Sequence, residues 1–419
     1  MHLTPGSSVV ALVLAAPLAA AAGESASPPA LPETAADGPS AANAEAGGTA
    51  GRPALVSVGR DGVEILSPDG DFSLEIGGRL HADWVRHGSL AGGADDGARI
   101  RRARIALGGR LERDWRWTAE TDFAGDAVAV KDFSLGYHGW TRVAVTAGQQ
   151  KQPYSLALEM SSNDLPFVER GIDNALLAPF VDRAIGVRAD AAGKRWFAAA
   201  GVFGGSTGDR ESGWGASGRF VHAPILDGRR VLHLGFRAAR REPDDAVRIR
   251  AETTPSSGVH VVDTGPIPSA ETVTLLGPEV AFAAGPFSVA AEHTRARLEG
   301  TGADATFTAW HAAVTLSLGG ATPAGAYDIG AGEFRNPSSA PGFARSWELA
   351  ARTASIDLND GGLAGGSERT FTIGASWYAN TNVRMMLDWT RVTDTDASSA
   401  LPIEADGLDV LTLRLQYAL

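Results

Sequence analysis

Four arginines fall within six residues, Arg99, Arg101, Arg102 and Arg104, and Arg110 follows. Guanidinium groups stay charged at any physiological pH, and their forked donors hold oxyanions bidentately. Such density predicts either anion recognition or cross-strand pairing with carboxylates. Glu75, Asp83, Glu120 and Asp122 are available for the second role, so both readings stand at this stage. Other groupings carry less. Gly213 to Gly218 satisfies a GxGxxG spacing, but it opens a strand pattern with no helix after it, which argues against a dinucleotide site. Asp357, Asn359, Gly362 and Glu368 echo a calcium loop. Gly361 occupies its fifth position, however, and strand patterns flank it, so a hairpin is expected there. The histidines, including His81, His233 and His293, lack ligand spacing, and no nucleophile–base arrangement is legible. Cysteine is absent, which removes disulfide and thiolate chemistry. No catalytic residue, metal site or cofactor is expected.

The arginines sit in a pattern of period two. Arg102, Arg104 and Arg110 share one face, with Ala103, Ile105, Leu107 and Leu111 on the other. Arg101 is out of phase with its neighbours and belongs at a rim or beside a bulge. "DFSLEIGGRLHADW" alternates in the same way, with Arg79 and His81 opposite Leu80 and Trp84. "WRWTAETDF", "VLHLGFR", "TFTIGASWYA", "VRMMLDWTRV" and "VLTLRLQYAL" repeat the alternation. Turns such as "GRLERD", "YHGWTR" and "YANTNV" alternate with longer loops, and no stretch shows a capped helical period. The chain therefore reads as all-β hairpins. A soluble sandwich buries its apolar face, whereas a transmembrane barrel turns that face to lipid and the polar face to a lumen. Aromatics near strand ends (Trp84, Trp115, Trp117, Trp140, Trp377, Tyr378) favour the barrel, as membrane girdles require. About sixteen strands are expected, an even number as bacterial barrels have.

The N-terminus agrees with this destination. Val9 to Leu18 forms a short apolar core ahead of Ala20–Ala22, which reads as a signal peptide over 1–22. Residues 23–68, rich in Ala, Gly, Pro and Ser, read as a flexible low-complexity leader, leaving 69–419 for the barrel. The formal net charge of −12 argues against nucleic acid as a partner.

Several segments resemble the phosphate-selective porins O and P: "RIRRARIALGGRLERDW", "VKDFSLGY", "GQQKQPYSLALEMSSNDLPFVER", "TLLGPEVAFAAGPFSVAAEHTR", "SWELAARTASIDLND" and "TIGASWYANTNVRMMLDWTRV". They follow one another in order from about residue 70 to the C-terminus. The resemblance implies an outer-membrane antiparallel β-barrel of about sixteen strands, forming a homotrimer among outer-membrane lipids. Its third loop, roughly 151–181, is implied to fold into the lumen. Leu156, Leu158, Met160, Leu165, Phe167 and Val168 suit such burial, although an interface with another protomer would also explain them.

By the same resemblance Arg79, Arg101, Arg102 and Asp132 match the anion site. Arg104, which stands on the same polar phase as Arg102, joins them, as do Lys151 and Ser162. Asn163 stands where the phosphate-specific members carry lysine. That departure removes a cation beside Glu159 and Asp164, so only weak phosphate binding is expected. The function implied is passive diffusion of small, phosphate-like anions, with polyphosphate among the candidate solutes. A barrel enzyme of lipase type and a secreted glycan-binding sandwich are the alternatives.

Overall fold

The computed structural model describes residues 54–59, 62–88, 96–207, 213–254, 257–268, 270–300, 304–320, 322–336, 345–399 and 405–419. The expected signal peptide lies outside them. Alternation of apolar and polar residues produces long antiparallel strands, because each strand satisfies its main-chain groups only through its neighbours. In chain order these are β1 (Ser73–His87), β2 (Gly97–Leu111), β3 (Trp115–Asp122) and β4 (Ala129–Tyr137). Next come β5 (Val143–Lys151), β6 (Arg183–Ala192), β7 (Trp196–Phe203) and β8 (Trp214–Leu226). The opposite half holds β9 (Arg230–Glu242), β10 (Thr272–Ala284), β11 (Phe287–Glu299) and β12 (Ala305–Leu318). β13 (Ser346–Asp360), β14 (Leu363–Tyr378), β15 (Val383–Asp396) and β16 (Asp409–Ala418) complete the wall. β16 pairs back onto β1, from Val410 opposite His87 to Ala418 opposite Arg79. The sixteen strands thus close into a barrel, as the alternation predicted.

The outward row is apolar and uncovered: Ile105, Phe133, Val187, Phe220, Phe236 and Leu415 are each more than half or nearly half exposed. A continuous apolar band of this kind is untenable in water and suits lipid. Leu413, Leu415, Tyr417 and Leu419 share it, so the last strand ends in phase. No helix among the described residues is long and apolar enough to cross a membrane, which says nothing against spanning strands.

Two features depart from the sequence reading. Leu55–Gly59 and Gly62–Leu66, assigned to the flexible leader, pair antiparallel, and the second of these strands pairs with β1 through Val63 and Ile76. The β-branched residues Val56, Val58, Val63 and Ile65 provide the strand propensity that the surrounding Ala and Gly conceal. The regular alternation of short and long connections also fails once. At the end carrying the short turns, β12 and β13 are joined by the long segment 319–345, while at the other end β13 and β14 are joined by only two residues.

The lumen is partly solid. Tyr154, Leu158, Ile172, Leu176, Phe180 and Val181 of segment 152–182 pack with Val247, Ile249 and Val262 of segment 243–271. Both rest on inward apolar wall residues, among them Leu275, Leu298, Phe307 and Ile356. The expected inward fold of the third loop is therefore observed, but the inner wall is not polar throughout. Burying each large side chain stabilises the docking by roughly 1.5–3 kcal/mol. Between 319 and 345, Gly332 accepts a hydrogen bond from Arg219 Nη2 at 2.7 Å, so this segment also reaches inward. Gly148 of β5, in the "GQQK" run, permits the close approach of β4. Its φ is 126°, and a Cβ there would lie 2.2 Å from the Phe133 carbonyl oxygen.

Candidate functional site

Segment 152–182 begins with a short helix, Leu156–Glu159, whose N-terminus is capped by Ser155 through the Leu158 amide. The segment then crosses the lumen. Val168 N donates to Asp388 of β15 at 2.9 Å, and Arg414 Nη2 of β16 donates to Glu169 at 2.7 Å. His311 of β12 meets Asp173 at 2.8 Å. Held at so many points, the segment presents residues 159–170 as a rigid edge toward β1–β6.

Between that edge and the wall lies a cavity of about 220 Å3, lined by Arg79, Arg102, Arg104, Glu120, Asp132, Lys151, Ser161, Ser162, Arg170 and Arg183. Six of the eight residues nominated from the sequence meet there. Arg79 and Arg104 stand directly opposite each other in the β1–β2 ladder, as do His81 and Arg102. Arg79 Nη1 donates to Ser161 Oγ and Ser162 Oγ at 3.2 and 3.1 Å, and its Nη2 to Glu120 at 2.6 Å. Arg104 reaches Asp122 and Glu120, both at 2.8 Å. Asp132 receives Nε and Nη2 of Arg183 at 3.1 and 3.0 Å. Arg102 grips the Glu169 carboxylate with both Nη atoms, at 2.5 and 2.8 Å. Pairing with carboxylates, one of the two roles left open for the arginines, is therefore observed at residues that also face the lumen. Each lines the lumen, and each is anchored by carboxylates, with Glu120 and Asp122 serving as two of the anticipated partners.

Two cations differ. Lys151 Nζ donates to the carbonyls of Glu159 and Met160 at 2.6 and 3.1 Å. Arg170 donates to the carbonyls of Ala157, Leu158 and Met160, the last at 2.7 Å. Both satisfy donors on main-chain oxygens at the end of the short helix, and no ion pair within 4 Å offsets either charge among the described residues. Burial pulls the Arg170 guanidinium down to about 10, which leaves it ionised at neutral pH. The cavity lining thus holds six cationic side chains against two carboxylates, with two serine hydroxyls beside them.

Two nominated residues lie elsewhere. Asn163 is not part of the cavity lining: its Oδ1 pairs with His81 Nε2 at 3.1 Å, and its carbonyl accepts from Asn336 and Gln416. The backbone bends after Ser162 and aims the next side chain at the β1 wall, so matching the loop pattern did not match the direction. Arg101 also lies outside the lining. The β1–β2 register shifts between His81 and Ala82, opposite Arg102 and Ile100, so Arg101 is the bulge residue. Its Nε lies 3.4 Å from Glu169.

The sequence reading missed Ser161, Glu169, Arg170 and Arg183. Arg183 opens β6, where strand phase cannot fix direction. Arg170 and Glu169 lie in a segment of no period, although "FVERG" placed a charge pair beside apolar residues. Among the described residues no group of three His, Asp or Glu side chains could hold a metal ion.

Such a lining, charged but partly satisfied, can hold a small oxyanion transiently rather than trap it. Comparisons with known proteins bear on the family and the fold. The family model described as phosphate-selective porin O and P matches residues 74–419. Porin O of Pseudomonas aeruginosa is 25% identical over 85% of this chain and 91% of its own. An uncharacterized protein of Caulobacter vibrioides is 28% identical over 76% of this chain and 68% of its own. Among solved structures, the outer-membrane channel DcaP of Acinetobacter baumannii matches with a TM-score of 0.52 at 12% identity, covering 84% of this chain and 99% of that one. A loop-deleted OmpT of Vibrio cholerae matches with a TM-score of 0.54 at 14% identity, covering 83% of this chain and all of that one.

Proposed function

The chain belongs to the phosphate-selective porin O and P family of the bacterial outer membrane, and from this premise we propose how its channel selects solutes. Small anions cross passively through the passage between segment 152–182 and the wall β1–β6. Lys151 and Arg170 supply the charge that attracts them, because carbonyl oxygens satisfy their donors without cancelling that charge. This is the observation that carries the reading. Arg79, Arg104 and Arg183 add guanidinium edges not fully used by Glu120, Asp122 and Asp132, so an oxyanion exchanges water for donors in several weak steps.

Phosphate-like anions are the proposed solutes, bound weakly because the carboxylates compete for the same donors. We place the barrel in a homotrimer surrounded by outer-membrane lipid, with no catalytic step. The test is planar-bilayer recording of the purified protein in a salt gradient. Stepwise pores with an anion-favouring reversal potential are expected. Absence of pores would remove the channel, and a cation-favouring potential would remove the selectivity.

A further inference from the structure

β3 and β4 pair with a register shift: Glu120 faces Asp132 and Thr121 faces Val130, so Lys131 is an extra residue without a partner across the ladder. Bulges of this kind re-aim a side chain. Val130 and Phe133 are both exposed on the outer face, while Asp132 turns inward to Arg183. Lys131 between them is half-buried, and the charges that act on it are those of Arg104, Asp122, Arg183 and Asp182. Two consecutive residues of β4 therefore face the lumen. The same device operates at Arg101, where the β1–β2 bulge sets Arg101 and Arg102 on the inner side while Ile100 stays outside, 50% exposed.

The two bulge cations have different surroundings. Arg101 shares the Glu169 carboxylate with Arg102 and Arg414. Lys131 makes no hydrogen bond and no ion pair to any described residue, and Asp122, the carboxylate that acts on it most, is already held by Arg104. β4 runs from the loop end toward the turn end, so Lys131 precedes Asp132 on the loop side of the cavity.

We propose that Lys131 is a specificity-determining residue at the loop-side mouth of the passage, a free ammonium that the β4 bulge turns inward to gather anions ahead of the Arg79–Arg183 cavity. The proposal rests on the channel reading above. A single mouth charge acts through its field rather than by ligation, so its influence grows when salt is low and fades when the screening length contracts.

The full-length protein, wild type and K131Q, K131E and K131R, is recorded in planar bilayers in KCl. At 0.1 M, K131Q is expected to lower conductance by about twofold, the scale of focusing by one charge. K131E should lower it further and make the current–voltage curve asymmetric, because the charge sits at one mouth. K131R should restore wild-type behaviour, and all four proteins should converge at 1 M. A K131Q channel equal to wild type at 0.1 M would overturn the proposal. So would an equal loss at both salt concentrations, which would report a distorted wall. Wild-type protein without anion-selective pores would overturn the channel reading and this inference together, whereas a normal wild type with an indifferent K131Q would overturn the inference alone.

Discussion

Glu169 is the residue on which the arginine cluster converges, with Arg102, Arg414 and Arg101 at 2.5, 2.7 and 3.4 Å. Burial works to raise its carboxyl, but the charges of Arg102, Arg414 and Arg101 outweigh burial and hold it well below the usual carboxylate range. The ionised form is the docked form. Its contribution is thus complete above the ordinary carboxyl pKa and is lost only as pH falls through the depressed one. Single-channel conductance should therefore stay constant through the range where free glutamate titrates, and step upward only in stronger acid; an upward step near the ordinary carboxyl value would contradict this. E169Q removes one partner of a buried pair, a change that costs about 3–5 kcal/mol in general, and should lower the urea midpoint of the folded barrel. Glu333, in segment 319–345, behaves oppositely. Burial pushes its carboxyl up to about 7, with Lys151 opposing that rise. Below that pH it is neutral and leaves the Lys151 charge undiminished; above it a carboxylate appears beside the passage. Anion preference should decline as pH rises through neutrality, and E333Q should weaken the decline in reversal-potential measurements.

Segment 152–182 is the element that fills the lumen and, on the proposed reading, sets its selectivity. Deleting its middle, residues 156–176, removes the edge that narrows the lumen and uncovers Leu275, Leu298 and Phe307 on the wall. Single-channel conductance should rise several-fold, and the thermal midpoint should fall; unchanged conductance would place the segment outside the ion path. The inward position of this loop was legible because Leu156, Leu165 and Phe167 have no reason to stand in a water-exposed connection. Strands were legible for a similar reason, since lipid outside and water inside impose strict alternation. Segment 243–271 carried a comparable signal in Val247, Ile249, Val261 and Val262, but Pro and Gly around them disguised it as an ordinary loop. Segment 319–345 carried almost none. It is held by the Gly332 carbonyl on Arg219, by the Tyr327 hydroxyl on His233 and by Asn336 on the Asn163 carbonyl, and isolated polar contacts of this kind have no period in sequence. Side-chain direction in an aperiodic loop is illegible too, which explains why the cavity lining includes Ser162 and not Asn163.

Across the whole molecule, formal charge and local charge have opposite signs. The chain carries −12 overall, yet the cavity lining holds six cations and two carboxylates. Acidic residues exceed basic ones in total, and the passage is basic only because inward strand positions and the loop edge collect the cations. On the proposed reading such a site attracts phosphate without gripping it, since Arg79, Arg102, Arg104 and Arg183 already spend donors on carboxylates. Phosphate should block chloride current only in the millimolar range or above, corresponding to about 4 kcal/mol or less. The family comparison by sequence pattern suggested that lysine at position 163 would tighten this block, but the geometry redirects the expectation. Asn163 faces His81 and anchors Asn336 and Gln416 through its carbonyl, so N163K adds a charge behind the edge. Ser162 lines the cavity 3.1 Å from Arg79, so S162K adds one inside it. Phosphate titrations of single-channel current should therefore show a stronger block for S162K than for wild type, and little change for N163K. A micromolar block in the wild type would mean that the carboxylate-anchored arginines bind phosphate tightly after all. A response to N163K but not to S162K would mean that anions pass beside His81 rather than through the cavity between Arg79 and Arg183.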